Sequence, residues 1–481
     1  MKAKKSIQKK QFIGRENELR AMEKIGASSE AVLLIVYGRR RVGKTELIEH
    51  AYSNRNLLKF EGIEGYKQTE QQKIVMQQLA EYTKEPLLRE VRIDNWIDVF
   101  RHIHQYTQKG TWTIYFEEVQ WLSDYKADFI AELKYAWDNF FRHNPHIVLI
   151  LCGSATSFMI NDVVRSKALY NRSQYEIHLQ EFSLKEASVF FKNRSFKEVM
   201  DSYLSVGGIP EYLKRLREKS SIFLSLCNHS FKADSFFSKE YERIFISNFA
   251  KNKHYREIIN FLSIRKFASR EEILSHLNIK SGGKFSELIE DLTMCGFIDS
   301  YTPYYLTNDS KLLRYCIKDS YLQFYYKFIH PIEKDIQQGI YNENPEKAIN
   351  DSVMQKWLGF AFERFCRSRH HLIAKILEFS GVRYKSGSYY SRSTIKEEPD
   401  YQLDLVFDRD DNVITLCEIK YLRAKVSSKV IQEFERKLQL FPNKNKKTYQ
   451  KVLISAFGAE LSLEEQHYFD AIITLEDLFK T

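Results

Sequence analysis

The chain has 481 residues, which is enough for about three domains. Hydrophobic residues make up 43% of it and exclude a disordered protein, while 18 glycines and 8 prolines are too few for a collagen-like or linker-like chain. The formal net charge of +10 permits a nucleic-acid partner. Residues 1–11 are predicted to form a basic tail. Because no apolar segment follows this tail and no apolar run approaches the ~20 residues of a membrane span, we expect a cytoplasmic protein with no membrane partner.

The first predicted elements alternate between strand and helix. Apolar strands are predicted at 31–37, 111–116 and 146–152, and helices at 45–52 and 126–141. The strands lack polar alternation, which is typical of a parallel sheet covered by helices on both faces. The pattern therefore predicts a doubly wound α/β domain.

The loop between the first strand and its helix has the spacing G-x-x-x-x-G-K-[ST]. Glycines let backbone N–H groups curve around phosphate oxygens, and the N-terminus of the following helix favours negative charge. Lys44 would reach the β- and γ-phosphates, and the Thr45 hydroxyl would bind Mg²⁺. The sequence therefore predicts a site for ATP and Mg²⁺. Its residues are Gly38, Arg39, Arg40, Arg41, Val42, Gly43, Lys44 and Thr45.

Charged and polar residues follow the next two strands. Glu117 stands where an acid would orient Mg²⁺, and Glu118 would act as the base that positions water. Ser154 ends the third strand and could sense the γ-phosphate. Arg172 follows further on and could stabilise transition-state charge, either in its own chain or on the nucleotide of a neighbouring chain.

These motifs resemble those of the archaeal-type ATPase family, an AAA-like group related to the STAND ATPases. The segments that carry the resemblance are Phe12–Leu19, the loop Gly38–Thr45 (the P-loop), Glu117–Leu122, Gly153–Ser154 and Gly207–Leu213. The resemblance implies that Phe12–Leu19 lies near the adenine and that the Gly-Gly-Ile-Pro segment begins a helical lid. Family members carry aspartate where this chain has Glu117, so ATP hydrolysis is a separate expectation from ATP binding.

The next region combines short helices with a hairpin. Helices are predicted near 255–262, 271–277 and 285–295, and a hairpin within 296–306, which together indicate a winged helix. Basic residues around its third helix could contact DNA phosphates. They are Arg265, Lys266, Arg270, Lys280 and Lys284. The alternative is a winged helix that packs only against protein.

A second predicted hairpin, near the C-terminal end, carries two acids and a lysine. Glu418 and Lys420 alternate on one strand and so point to the same face. If Phe407 pairs with Val413 across the turn, Asp404 is a diagonal neighbour of Glu418 on that face. Asp404 and Glu418 could then hold Mg²⁺, while Lys420 would stabilise charge or orient water.

The hairpin resembles the core of the PD-(D/E)XK nucleases. Tyr401–Phe407 and Leu416–Lys420 match the C-terminal domain that accompanies this ATPase in many bacterial relatives. The resemblance implies that Glu363, within the preceding Gly359–Glu363 segment, is an additional acid near the metal. A charged helix is predicted near 429–440, after the hairpin.

The expected architecture is α/β and has four parts after the tail. They are a P-loop parallel-sheet ATPase core at 12–190, a helical lid at 191–250, a winged-helix module at 251–335, and a restriction-endonuclease-like α/β domain at 336–481. The expected function is metal-dependent DNA cleavage controlled by the ATPase, with defence or mobile elements as the context that the resemblance implies. The alternative is an ATP-dependent switch that binds DNA or protein through the winged helix and keeps a catalytically silent nuclease-like domain as a scaffold, and a third is a toxin- or effector-like nuclease. Self-association or a protein partner stays open.

Overall fold

The computed structural model describes residues 12–480 except 155, 170–171, 250–251, 266, 303, 305–312, 392–400 and 444. The predicted basic tail therefore lies outside the described residues, as does Lys266. The chain divides into two compact units. The first comprises Met1–Phe182, Ile209–Glu211 and Ile244–Ala250, and the second comprises Ser183–Gly208, Tyr212–Arg243 and Lys251–Thr481. The four-part division stays a prediction.

The strands are numbered in chain order. They are β1 Val32–Tyr37, β2 Asn56–Glu61, β3 Trp112–Glu117, β4 Ile147–Gly153, β5 Ser173–His178, β6 Ile298–Tyr301, β7 Arg314–Ile317, β8 Tyr384–Ser391, β9 Tyr401–Arg409, β10 Val413–Lys420, β11 Thr448–Ser455 and β12 Ala471–Ile473.

The helices are numbered in the same way. They are α1 Glu16–Gly26, α2 Lys44–Ala51, α3 Gln68–Thr83, α4 Trp96–Thr107, α5 Val119–Leu122, α6 Asp128–Asn139, α7 Thr156–Phe158, α8 Leu184–Phe190, α9 Phe196–Val206, α10 Pro210–Arg215, α11 Ile222–Phe231, α12 Phe236–Phe249, α13 His254–Ser263, α14 Arg270–Leu277, α15 Gly283–Met294, α16 Ser320–Phe324, α17 Glu333–Gln337, α18 Asp351–Ser368, α19 His370–Ile376, α20 Lys429–Leu440, α21 Leu461–Glu464 and α22 Leu475–Lys480. Among these described helices, none combines the length and the apolar character that crossing a membrane requires.

The first unit is built on a parallel five-stranded sheet in the order β2-β3-β4-β1-β5. Helix α4 shows why its helices cover this sheet. The Asn95 side chain caps its first turn, and Trp96, Val99, Phe100 and Ile103 recur at helical spacing and are fully buried. Each large side chain buried in this way stabilises the unit by about 2–3 kcal/mol. The predicted α/β fold with a parallel sheet is confirmed.

The second unit contains a mixed five-stranded sheet in the order β12-β11-β10-β9-β8. Strands β10, β11 and β12 run parallel, whereas β9 is antiparallel to both β8 and β10. Helix α20 covers one face, where Val430 and Phe434 pack in a core with Leu416. Phe407 is buried on the other face against Phe379 and Tyr384. Because both faces are covered, the central side chains of β9 and β10 are buried whichever way they point.

Helices α13, α14 and α15 precede a small antiparallel sheet formed by β6 and β7. The prediction that one hairpin within 296–306 supplies both strands is wrong, because β6 pairs with Arg314–Ile317. The intervening residues 305–312 lie outside the described part of the chain. A bridge between Ala268 and Tyr315 joins the start of α14 to this sheet.

Candidate nucleotide and carboxylate sites

Three adjacent strands of the parallel sheet end at the same edge. Strand β4 lies between β1 and β3, and Tyr37 at the end of β1 is in register with Gly153 at the end of β4. The P-loop follows β1, Ser154 follows β4, and Glu117 ends β3. The carboxyl edge of a parallel sheet is where such folds bind ligands.

The backbone of the P-loop depends on glycine at both ends. Gly38 has a φ of 151°, and a Cβ atom there would lie 2.3 Å from the backbone oxygen of Leu179. Gly43 has a φ of 91° and precedes the first turn of α2. The buried Lys44, which follows Gly43, donates hydrogen bonds from Nζ back to the oxygens of Gly38 (2.9 Å) and Arg39 (3.2 Å). The loop is thus closed around an ammonium group that can exchange these carbonyls for phosphate oxygens.

The remaining P-loop residues differ in exposure. Val42 is buried, Arg39 and Arg41 are half-buried, and Arg40 is exposed. The Val42 oxygen accepts a hydrogen bond of 3.0 Å from Nη2 of Arg15, which belongs to the N-terminal motif.

Phe12–Leu19 lies against the P-loop and α2. The guanidinium of Arg15, which contacts the loop, also lies 4.7 Å from the centre of the Phe182 ring, and Phe12 stacks on His50 of α2 at 4.3 Å. These contacts place the motif beside the nucleotide-binding loop. Its predicted contact with adenine stays a prediction.

Glu117 has a partner on each carboxylate oxygen. The Thr45 hydroxyl donates a hydrogen bond to Oε1, and Nζ of Lys59 lies 2.7 Å from Oε2. Burial lowers the pKa of Lys59, but the hydrogen bond and charge of Glu117 outweigh it, so that this pKa is raised overall. The Thr45 hydroxyl and the Glu117 carboxylate, predicted as Mg²⁺ ligands, are therefore in direct contact. Hard oxygen donors of this kind fit Mg²⁺.

Glu118 is held by the end of the neighbouring strand. Its Oε2 accepts hydrogen bonds from the backbone N (3.0 Å) and Oγ (2.7 Å) of Ser154 and from Nε2 of Gln120 (2.6 Å). Its φ of 54° lies in the left-handed region, which is strained for a residue other than glycine. Gly153 precedes Ser154, and a Cβ atom there would lie 2.5 Å from Sδ of Met159 and 2.8 Å from Oε1 of Gln120, so this position favours glycine. The predicted base and the predicted γ-phosphate sensor thus contact each other.

Arg172 lies at the amino ends of the strands, opposite the end that carries the P-loop. It directly precedes β5, whose Ser173 is in register with Leu33 near the start of β1, whereas the P-loop follows the end of β1. The length of β1 puts this position on the order of 15 Å from the P-loop. Nε of Arg172 lies 2.9 Å from Oδ1 of Asp138. The prediction that Arg172 contacts the γ-phosphate of its own chain is therefore wrong for this arrangement, while a contact with a neighbouring chain stays a prediction.

The C-terminal acids meet on adjacent strands of the mixed sheet. Oδ2 of Asp404, on β9, accepts a hydrogen bond of 3.0 Å from the backbone N of Ile419 on β10. Glu418 is fully buried, and its Oε1 lies 2.9 Å from Nζ of Lys420. The three residues predicted from the hairpin are thus brought together.

The pairing of the hairpin differs from the prediction. Phe407 is in register with Thr415 instead of Val413, and the last pair is Leu405 with Cys417. Extended by one residue beyond the described pairs, this register would set Asp404 opposite Glu418, whereas the prediction had a diagonal pair. The register of β8 and β9 also shifts between Gly387 and Tyr389, which lie opposite Val406 and Leu403. Irregularities of this kind re-aim side chains and are common beside active sites.

The electrostatics of this site favour a bound cation. Burial, followed by the charges of Glu418 and Glu363, raises the pKa of the Asp404 carboxyl to about 7. Burial lowers the pKa of Lys420, but the neighbouring Glu418 and Glu433 raise it overall. A positive charge beside Asp404 would oppose these effects and stabilise its carboxylate form.

Glu363 does not join the other two acids as a third metal ligand. It lies on α18 with Oε2 3.5 Å from Nη1 of Arg367. Within the described residues, no group of three or more histidine, cysteine, aspartate or glutamate side chains could hold a metal ion. The charge of Glu363 nevertheless raises the pKa of Asp404, and its role as an additional acid near the metal stays a prediction. Asp404 and Glu418 fit the common Mg²⁺ site in which few carboxylates and several waters complete the shell.

Four residues of these sites were not predicted. Each of them contacts a predicted acid: the pairs are Lys59 with Glu117, Gln120 with Glu118, Arg367 with Glu363, and Lys437 with Glu418. Only Lys437 had a usable signal in the sequence, because it neighbours the apolar stripe of the predicted helix at 429–440. The other three depend on contacts between separate elements.

Comparison with known proteins identifies the first part of the chain. Residues 12–216 match the family model of an ATPase domain that occurs predominantly in Archaea. An uncharacterized protein of Methanocaldococcus jannaschii is 24% identical over 452 residues, which are 89% of this chain and 92% of that protein. An uncharacterized ATP-binding protein of the same organism is 44% identical over 46 residues, which are 10% of this chain and 78% of that protein.

Among solved structures, the Walker-type ATPase of Pyrococcus abyssi aligns with a TM-score of 0.46 and 17% identity, over 66% of this chain and 96% of that one. The family match spans the strands and loops that form the nucleotide site, from Phe12 through the P-loop to the Gly-Gly-Ile-Pro segment. Residues 12–216 therefore form a P-loop ATPase domain of the archaeal type.

Proposed function

We propose that the protein hydrolyses ATP and cleaves DNA with Mg²⁺, and that its ATPase domain controls the cleavage. The observation that carries the nuclease part is the meeting of Asp404 and Glu418 on adjacent strands, with Lys420 beside them. A role against foreign DNA or on mobile elements is the context that the family resemblance implies.

The nucleotide site supplies the groups that ATP hydrolysis needs. Lys44 would exchange its carbonyl partners for phosphate oxygens, and Thr45 with Glu117 would hold Mg²⁺, which neutralises phosphate charge when bound. Glu118 would accept a proton from water after loosening its bonds to Ser154. The Ser154 hydroxyl, once released, would be free to donate to the γ-phosphate.

The carboxylate site supplies the groups for phosphodiester cleavage. Asp404 and Glu418 would hold Mg²⁺, which polarises the phosphodiester when bound. Lys420 has a quarter of its side chain exposed, at 26%, whereas Glu418 is fully buried. Its ammonium group can therefore reach a phosphate or a water at the surface while staying in contact with Glu418. The buried carboxylates stay away from bulk water, which strengthens their hold on a cation.

Helices α13–α15 and strands β6–β7 would act as a winged helix that contacts DNA. Lys280 and Lys284 are exposed around the start of α15, where phosphate contacts are expected. Two other predicted basic residues have internal partners, because Arg265 lies 3.2 Å from Glu272 and Arg270 covers the ring of Phe285 at 4.6 Å. DNA binding is therefore assigned to the two lysines first.

Cleavage of supercoiled plasmid tests the nuclease proposal. The full chain is incubated with Mg²⁺ or Mn²⁺, with and without ATP, beside Asp404→Ala. Asp410→Ala, an exposed residue of the adjacent turn, is the matched control. We expect cleavage by the wild type and Asp410→Ala and none by Asp404→Ala. Equal cleavage by Asp404→Ala, or none by the wild type with any metal, nucleotide or DNA form, contradicts the proposal.

A second candidate function is an ATP-dependent switch with a silent nuclease-like domain. At the nucleotide site, Glu117 stands in place of the usual aspartate, which would disfavour Mg²⁺ there. At the carboxylate site, both oxygens of Glu418 already contact lysines, which would disfavour a metal ion there. This candidate predicts that ATP changes DNA binding while plasmid stays intact. Gel-shift titrations with and without ATP, run beside the cleavage assay, distinguish the two functions.

A further inference from the structure

Helix α20 carries a buried lysine next to the carboxylate site. Val430, Phe434 and Leu438 recur every four residues and pack against the mixed sheet. Lys437 lies beside this stripe and is 7% exposed. An ammonium group removed from water in this way is strongly disfavoured unless an acid pairs with it. Burial of the Lys437 ammonium group therefore requires an acidic partner.

The partner of Lys437 is Glu418. Nζ of Lys437 lies 2.8 Å from Oε1 and 2.8 Å from Oε2 of that carboxylate. Nζ of Lys420 lies 2.9 Å from Oε1. Glu418 is fully buried, so these two ammonium groups take the place of solvent around it. Each oxygen of a predicted metal ligand is thus already in contact with a positive charge.

Lys437 also has a second acid within reach. Oε1 of Glu433, one helical turn earlier on α20, lies 3.3 Å from Nζ of Lys437. Glu433 is half exposed, at 49% of its side chain, and its pKa is lowered because the nearby charges of Lys420 and Lys437 outweigh the effect of its burial. Because Glu433 stays charged at neutral pH, Lys437 can move toward it without losing its counter-ion. The geometry therefore allows Glu418 to be released.

We propose that Lys437 is a built-in cation of the carboxylate site, which holds Glu418 in place and must be displaced before a divalent metal binds. A metal ion needs an oxygen of Glu418 as a ligand, and a neighbouring ammonium group repels it. Lys437 is thus a positioning residue that lowers the metal affinity of the site. This inference rests on the proposed metal site at Asp404 and Glu418.

Direct binding of Mn²⁺ tests this inference. Electron paramagnetic resonance of free Mn²⁺ is titrated against the full chain without nucleotide, and the component lost in Asp404→Ala defines the C-terminal site. We expect Lys437→Met to tighten this component at least about fivefold, because one repelling charge is removed. Lys437→Arg keeps the charge and should stay near the wild type. Lys429→Met, an exposed lysine of the same helix, is the matched control.

The outcomes separate the inference from the proposed function. An Asp404-dependent component that is unchanged or weaker in Lys437→Met overturns the role of Lys437 and leaves the metal site standing. A component seen only in Lys437→Met supports the inference. No such component in any variant overturns both. Should Lys437→Met not fold by circular dichroism, Lys437→Gln carries the same expectation, and a loss of affinity there overturns the inference.

Discussion

Glu118 and Glu418 both lie at the ends of buried strands, yet their partners differ in charge. Glu118 accepts hydrogen bonds from neutral donors of Ser154 and Gln120, which leave its negative charge in place. Glu418 contacts two ammonium groups, which neutralise it. A carboxylate with neutral donors keeps the charge that a base needs, whereas one with cationic partners is already neutralised and must lose a partner before it binds a metal.

Replacing Glu118 with glutamine tests its role as a base. Glu118→Gln keeps the size of the side chain but cannot accept a proton from water. We expect ATP turnover to fall about 100-fold or more, while ATP binding changes little. Phosphate release and nucleotide titration measure the two effects, with the exposed Glu64→Gln as control. Unchanged turnover would assign the base to another residue.

The raised pKa of Asp404 predicts a pH-dependent stability in the metal-free protein. Burial and the charges of Glu418 and Glu363 raise this pKa to about 7, above the ordinary value near 4. Between these two values the folded protein keeps a proton that the unfolded chain loses. The contribution of the Asp404 carboxyl to the free energy of unfolding is therefore complete below about pH 4 and is lost as the pH rises to about 7. With chelator present, we expect Asp404→Asn to raise the Tm relative to the wild type at pH 8 and much less at pH 5. A difference that does not change with pH would contradict this.

At the scale of elements, the sequence located strands better than it paired them. Strands β1, β3 and β4 and helix α20 lie within one or two residues of their predictions, because long apolar runs and helical spacing mark them. Strand β5 was missed because four of its six residues are exposed and the other two are half-buried, as expected at the edge of a sheet. The β9–β10 register was wrong by two residues, because β9 continues to Arg409 and the turn is shorter than predicted. Register depends on the geometry of the turn, which residue types alone do not fix.

Within the second unit, helix α9 is hydrogen-bonded to the residue that follows β10. Tyr421 follows Lys420 directly, and its hydroxyl donates a hydrogen bond of 2.7 Å to Oδ1 of Asp201 on α9. Lys197 of the same helix lies 2.7 Å from Asp201 and 4.3 Å from the centre of the Tyr421 ring. Burial raises the pKa of Asp201, although Lys197 opposes this effect. The position of Lys420 is thus tied to a helix outside its own sheet.

A double-mutant cycle tests this connection. Tyr421→Phe removes a hydrogen-bond donor to the half-buried Asp201 and should destabilise the protein by about 1 kcal/mol. Because Asp201→Asn affects the same hydrogen bond, the two changes should be non-additive by about 1 kcal/mol. Urea unfolding of the single and double variants measures the coupling, with the exposed Tyr66→Phe as control. Additive effects would show that the contact contributes little.

At the scale of the whole molecule, the two sites belong to different compact units that share one chain. Ile209–Glu211 and Ile244–Ala250 belong to the unit of the P-loop, while the segments around them belong to the unit of Asp404. The chain therefore passes repeatedly between the units.

ATP should control cleavage through binding, because a ligand shifts a conformational equilibrium by its different affinity for the two states and needs no turnover to do so. We expect ATP to change the rate of plasmid cleavage at least about fivefold in the wild type, which is the lower range of measured couplings between sites. The effect should persist in Glu118→Gln, which is expected to bind ATP but to turn it over slowly, and disappear in Lys44→Ala, which loses the expected phosphate contact. Cleavage rates with and without ATP, compared with a non-hydrolysable analogue, measure this. If Glu118→Gln loses the response to ATP as Lys44→Ala does, ATP turnover controls the nuclease. If Lys44→Ala still responds to ATP, the P-loop does not control the nuclease.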